Sequence, residues 1–153
     1  MEIVNGERLV LGTCYYPEHW DESLWRDDLK RMLENGIEVI RIAEFAWSKI
    51  ERYEGVFNYD FFDRFLDVAA DMGMKVIFCT PTATPPAWLT EKYPEVLNAN
   101  MDGVLYRHGG RRHYNYNSPK YQELTRIIVE KSASHYAKHP AIIGWQIDNE
   151  INC

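Results

Sequence analysis

Cysteine is scarce in this sequence. Cys14, Cys79 and Cys153 are three in 153 residues, an odd number with no CxxC spacing. So few support neither a disulfide framework nor a self-contained zinc site, and Cys14 and Cys79, which fall in predicted strands, read as packing residues. Positive charge is also in deficit. Lys plus Arg number 17 against 23 Asp plus Glu, for a formal net charge of -6. Arg107, Arg111 and Arg112 are a small basic grouping in a largely acidic chain, which argues against a nucleic-acid partner; a neutral or small polar ligand fits better. The opening MEIVNGERLVLG has no basic stretch leading into a long apolar core, and no later window reaches the length of a membrane span. No membrane partner and a cytoplasmic location are expected. No GxGxxG follows the first predicted strand, as a dinucleotide-binding sheet would need. His19, His108 and His113 lack metal-ligand spacing, so they read as polar loop residues and no metal is expected.

Hydrophobic residues make up 46% of the chain, enough for a folded core, and aromatics make up 14%, with ten tyrosines and five tryptophans. That is more aromatic surface than an ordinary core requires. Sugar sites use such rings, whose faces cover the C–H face of a pyranose while Tyr hydroxyls remain free to hydrogen-bond.

Four apolar segments rich in β-formers recur, at Leu9 to Tyr16, Glu38 to Phe45, Lys75 to Thr80 and Ala141 to Glu150. Amphipathic segments alternate with them. The first spans about Leu24 to Glu34 and closes at Asn35-Gly36. The second runs from an Asp60 cap to Gly73. The third starts at Ser118-Pro119, a cap followed by a first-turn proline, and stops at Pro140. The order βαβαβαβ, with near-continuous apolar strands such as VIRI and VIF, is expected of a parallel sheet covered on its outer face. Every predicted strand delivers polar or aromatic residues at its carboxyl end: Tyr15 and Tyr16, Glu44, Thr80, and Asn149 with Glu150. In a barrel that end carries the active site, so the fold class is read as α/β, the first half of a (β/α)8 TIM barrel with about four strands and three helices. A long segment, Pro81 to Asn117, joins the third strand to its helix and is expected to wall the site.

Glu150 ends a strand whose Ile142, Ile143, Trp145 and Ile147 would hold it by packing, and it is the strongest candidate for a general acid; an acid that caps the next helix is the plain alternative. Asn149 beside it could donate its amide to a sugar 2-hydroxyl, or serve only as a turn residue. Arg111 and Arg112 follow two glycines, where a guanidinium could span two sugar hydroxyls or hold a carboxylate; for Arg112 a salt bridge is equally apt. Trp88, after Pro85-Pro86, is either a sugar platform or a packed loop anchor.

Taken together, YYPEHW (Tyr15 to Trp20), RIAEFAWSKIE (Arg41 to Glu51), TPTATPPAWL (ending at Leu89), RRHYN (Arg111 to Asn115) and QIDNE (Gln146 to Glu150) resemble the amino-terminal part of glycoside hydrolase family 42 beta-galactosidases. The resemblance covers nearly the whole chain. It implies residues 1–153 as the amino-terminal portion of a truncated barrel domain, retaining hydrolysis of terminal β-D-galactosides, and no cofactor in the chemistry. By the same resemblance Glu150 is the catalytic acid/base, Asn149 and Arg111 bind substrate, and the nucleophile is a Glu on a seventh strand that this chain lacks. Some members hold a structural zinc through a cysteine directly after Arg-Arg-His-Tyr; here that position is Asn115, so zinc is not expected. Many members are homo-trimers. The rival readings are another retaining barrel glycosidase, such as an arabinosidase or beta-glucosidase, and a non-catalytic sugar-binding half-barrel.

Overall fold

A computed structural model describes residues 9–110 and 112–150. Along the chain run β1 (Leu11–Cys14), α1 (Trp25–Glu34), β2 (Ile37–Ile42), the short α2 (Trp47–Ile50), β3 (Glu51–Tyr53), β4 (Val56–Phe57), α3 (Asp60–Asp71), β5 (Lys75–Cys79), α4 (Ala87–Lys92), α5 (Pro119–Tyr136) and β6 (Ile142–Gln146). They divide between two compact units.

The first unit comprises the described parts of Met1–Ala43, Tyr59–Cys79 and Tyr136–Gln146. Its sheet has the order β1-β2-β5-β6, with every pair parallel. Each new strand is added at the same edge. A doubly wound sheet reverses direction part-way, whereas unidirectional addition is how a (β/α)8 barrel winds. Period-two alternation sorts the faces of β2 and β5: Ile40, Ile42, Val76 and Phe78 are fully buried, while Arg41 and Ile77 between them are only half-buried. Arg41 donates to Gln146 Oε1 at 2.8 Å and to Cys14 Sγ at 2.9 Å, tying three strands together. Gly12 is required by close approach, since a Cβ there would meet the Val39 carbonyl oxygen at 3.0 Å across the β1–β2 ladder.

Helices α1 and α3 meet through rings. Trp25 sits edge-on to Phe61 and Phe65, each at 5.2 Å, and Tyr15 stacks on Phe65 at 5.7 Å. The Tyr15 hydroxyl donates to Asp28 Oδ2 at 2.9 Å, and burial first, then that carboxylate, holds it well above the usual tyrosine range. Helix α1 closes as expected at Gly36, whose φ is +79°.

The second unit comprises Glu44–Asn58, Thr80–His135 and the described part of Ile147–Cys153. Much of it lies in segments that read as loop in the sequence. The stretch after β2 folds into α2 and an antiparallel β3–β4 hairpin, and Pro81 to Asn117 contains α4. Inside, Tyr114 stacks on Tyr121 at 4.8 Å, Trp47 lies 6.3 Å from Tyr121, and Tyr121 donates its hydroxyl to the Thr82 carbonyl at 2.8 Å. Ser118 Oγ accepts from the Tyr121 N–H at 3.4 Å, as its capping position predicts. Asp60 differs from expectation: it is the first helical residue of α3, preceded by Tyr59.

Each strand is also shorter than its apolar pattern. Strand β2 stops at Ile42 because Ala43 takes φ +71°, and β6 stops at Gln146 two residues before Asp148 takes φ +56°. Glu44, Thr80, Asn149 and Glu150 therefore stand on the loops that leave the strands, not on the strands themselves. No helix among the described residues is long and apolar enough to cross a membrane.

Candidate active site

The turn Asp148-Asn149-Glu150 contains two left-handed residues, Asp148 at φ +56° and Glu150 at φ +49°. Neither is glycine, and such backbone costs about 1 kcal/mol or more per residue, so it persists only where the surroundings impose it. Here the surroundings do so. The Asp148 N–H donates to Thr80 Oγ1 at 2.8 Å, the Asn149 N–H donates to Asp148 Oδ1 at 2.6 Å, and the Tyr116 hydroxyl donates to Asp148 Oδ2 at 3.3 Å.

Arg112 completes the frame. Its guanidinium donates to the Asn149 carbonyl and to the Tyr116 hydroxyl, and to the Tyr114 hydroxyl at 3.1 Å. Its Nη1 lies 3.8 Å from Asp148 Oδ1, with the two side chains only 13% and 11% exposed. A largely desolvated pair of this kind is worth more than a surface bridge, because less water screens it. Tyr116 stays neutral and able to donate: burial first, then Tyr114 and the Asp148 charge, keeps its hydroxyl well above the usual range.

The loop that carries Arg112 has its own support. His113 is buried, and because a carbonyl can only accept, its contact of 2.6 Å with the Gly110 oxygen puts the proton on Nδ1. His108 lies edge-on to it at 4.9 Å and reaches Thr90 Oγ1 at 2.9 Å; burial, then the neighbouring His113, lowers the His108 pKa. Arg112 itself has φ +56°. Between this loop and the turn opens a cleft of about 220 Å³, lined by Phe45, Ala83, Thr84, Gly109, Gly110, Arg112 and Asn149. A lining that combines an aromatic ring with a guanidinium and a carboxamide can cover a C–H face and bind hydroxyls, as a small polar ligand requires.

Of the residues singled out in the sequence, Asn149 is half-buried and lines the cleft, and Glu150 is exposed at the end of the turn. Arg111 lies outside the described residues. Glu44 is buried immediately after the left-handed Ala43. Trp88 is an anchor: its indole N–H donates to the Glu51 carbonyl at 3.0 Å. Sequence reasoning missed the joint role of Asp148 and Tyr116, although Asp148 stands inside the motif QIDNE and Tyr116 directly follows RRHYN. Asn115, at the zinc-ligand position of some relatives, accepts the Asn117 N–H at 2.9 Å in a local turn, and among the described residues no three His, Cys, Asp or Glu side chains gather where a metal could sit. Asn115 therefore does not supply the thiolate that those relatives use at this position.

Residues 14–153 match the model of the beta-galactosidase family glycoside hydrolase 42. The chain belongs to this family. It is 45% identical over 144 residues to a beta-galactosidase of Thermus thermophilus and 43% identical over 143 residues to beta-galactosidase Bga of Halorubrum lacusprofundi, covering 94% of this chain in both cases but only 22% and 20% of those proteins. The crystal structure of a beta-galactosidase from Marinomonas ef1 superposes with a TM-score of 0.91 at 43% identity, over 95% of this chain and 22% of that one. The chain thus spans about a fifth of the length of its family relatives, and its sheet is the opening part of their (β/α)8 barrel. A GH5_18 protein from Streptomyces cattleya, 16% identical with a TM-score of 0.67, shares the fold alone.

Proposed function

We propose that this chain supplies the acid/base side of a retaining beta-galactosidase site. The observation that carries the reading is the turn after β6, which presents Asn149 to the cleft and ends in Glu150 under an imposed left-handed backbone. Family membership supports galactosides as the substrate class.

In this reading Glu150 gives its proton to the glycosidic oxygen as the bond from that oxygen to C1 breaks and a carboxylate from a later strand bonds to C1. Glu150, now ionised, takes a proton from water as the water oxygen attacks C1 and releases that carboxylate, so the two inversions retain configuration. The Asn149 amide holds the 2-hydroxyl, a contact that strengthens as the oxocarbenium ion develops. Arg111 binds the galactosyl unit. The second carboxylate is needed about 5 to 5.5 Å from the first, the spacing of retaining enzymes.

The test is Glu150→Ala in a family-length protein carrying this chain as its amino-terminal part. Substrates with poor leaving groups should lose activity far more than dinitrophenyl galactoside, and added azide should restore turnover and give the β-galactosyl azide. No rescue, or an α-azide, would refute the assignment.

A further inference from the structure

We infer that Arg112 is the positioning residue of the Asn149–Glu150 pair, acting by clamping the peptide plane between them, an inference that rests on the acid/base reading of Glu150. The direction in which a side chain leaves the backbone follows from its φ, and φ of Glu150 is set by the plane of the preceding peptide. The Arg112 guanidinium donates to the carbonyl of that peptide, the Asn149 oxygen. It thereby opposes relaxation of Glu150 from φ +49° to the negative values an L residue prefers.

The guanidinium is itself held from three sides. Tyr114 and Tyr116 accept from it, its carbon lies 5.7 Å from the centre of the Tyr116 ring, and Asp148 Oδ1 stands 3.8 Å away. Asp148 in turn is fixed by Thr80 and Tyr116. A planar fork with donors aimed at a carbonyl and two phenols is a task for arginine, which a lysine point charge cannot duplicate. Because Asp148 neutralises its charge locally, Arg112 contributes geometry to the site more than field. Its position on the cleft wall beside Asn149 lets it act without itself being the group that binds the galactosyl unit.

Misplacing a reacting group by about 1 Å costs ~100-fold in rate. In a family-length protein carrying this chain, Arg112→Met should therefore lower kcat on an alkyl galactoside, a poor leaving group, by ~100-fold while KM stays within about threefold. Dinitrophenyl galactoside, which needs little protonation, should lose less in glycosylation. Arg112→Lys should recover no more than a tenth of the activity, and guanidinium ion should partly rescue Arg112→Met but not Glu150→Ala. A kcat unchanged on both substrates, or a rise in KM alone, overturns the inference. If Arg112→Met does not fold, Tyr116→Phe removes one partner from the guanidinium and one from Asp148. A fall in its kcat of about threefold or more at steady KM supports the inference, and an unchanged kcat overturns it. The Glu150→Ala azide product separates the two readings: when it forms and Arg112→Met is silent, only the positioning role fails, and when it does not form, both fail.

Discussion

Thr80→Val removes the side-chain acceptor beneath the Asp148–Glu150 turn, together with a longer 3.4 Å contact between Thr80 Oγ1 and Thr82 Oγ1. Thr80 is 3% exposed, and its Oγ1 accepts the Asp148 N–H at 2.8 Å. Its backbone is extended, at φ -66° and ψ 130°, a conformation in which valine is comfortable, and the two side chains have nearly the same shape. Valine therefore leaves no cavity and introduces no strain. What it removes is the acceptor, and the Asp148 N–H is left buried and unpaired at a residue already held at φ +56°. An orphaned buried donor costs ~1–3 kcal/mol, which corresponds to about 5- to 150-fold in the opening equilibrium of the turn.

Hydrogen exchange followed by mass spectrometry on peptides covering 147–150 reads that opening locally, and the variant should exchange faster by a factor in this range. On the proposed role of Glu150, kcat of a family-length protein carrying this chain should fall in parallel by roughly tenfold, because the same turn carries Asn149 and Glu150. Thr80→Ser keeps the hydroxyl and should behave as wild type in both measurements. Exchange of the turn within twofold of wild type in Thr80→Val would refute the reasoning, because it would mean that Asp148 is held without this bond.

Two further perturbations probe the frame on either side. Gly12→Ala puts a Cβ 3.0 Å from the Val39 carbonyl and should destabilise the β1–β2 pairing by ~1–3 kcal/mol; an unchanged melting temperature would contradict the close approach. Glu51 accepts from the Trp47 indole at 2.7 Å and the Gly55 N–H at 2.8 Å, yet burial raises its carboxyl pKa above the ordinary value. Its folded state thus binds a proton in excess of the unfolded chain, so its contribution is whole below the unfolded pKa and is lost as pH rises through the folded one. Exchange protection of the β3–β4 hairpin, corrected for intrinsic rates, should decline over that window and lose the decline in Glu51→Gln. The glutamine variant should also cost ~1 kcal/mol near neutrality, since an amide offers one acceptor oxygen to two donors; parallel pH profiles for the two proteins would contradict the shift.

The alternation of apolar strands with amphipathic segments was enough to place β1, β2, β5 and β6 and helices α1, α3 and α5, because burial on one face imposes a period that residue types display. The small elements were not legible. Helix α2 and the β3–β4 hairpin are too short to show a period, and they form because Trp47 and Gly55 converge on the buried Glu51 carboxylate, contacts that local residue type does not announce. Helix α4 was hidden behind two prolines whose turn character dominates the segment, although a proline at the cap position is what admits the helix at Ala87.

The same limit explains why the strands were read too long at the end that matters. Ala and Glu give no hint of a left-handed backbone and Asp only a weak one, glycine or asparagine being the usual signal, yet Ala43, Asp148 and Glu150 all adopt it. The cause is non-local: Thr80, Tyr116 and Arg112 hold the last turn from segments 32 to 68 residues away in the chain. The motifs could therefore name Asn149 and Glu150 as chemical groups but not say how they are aimed. For Arg112, sequence position allowed a sugar contact or a surface bridge with equal force, and only the convergence of its guanidinium on the Asn149 carbonyl and the Asp148 carboxylate distinguishes a third role. On the proposed acid/base role of Glu150, the family motifs hold both a reacting group and the arginine that aims it, and the contacts of the guanidinium mark out the second.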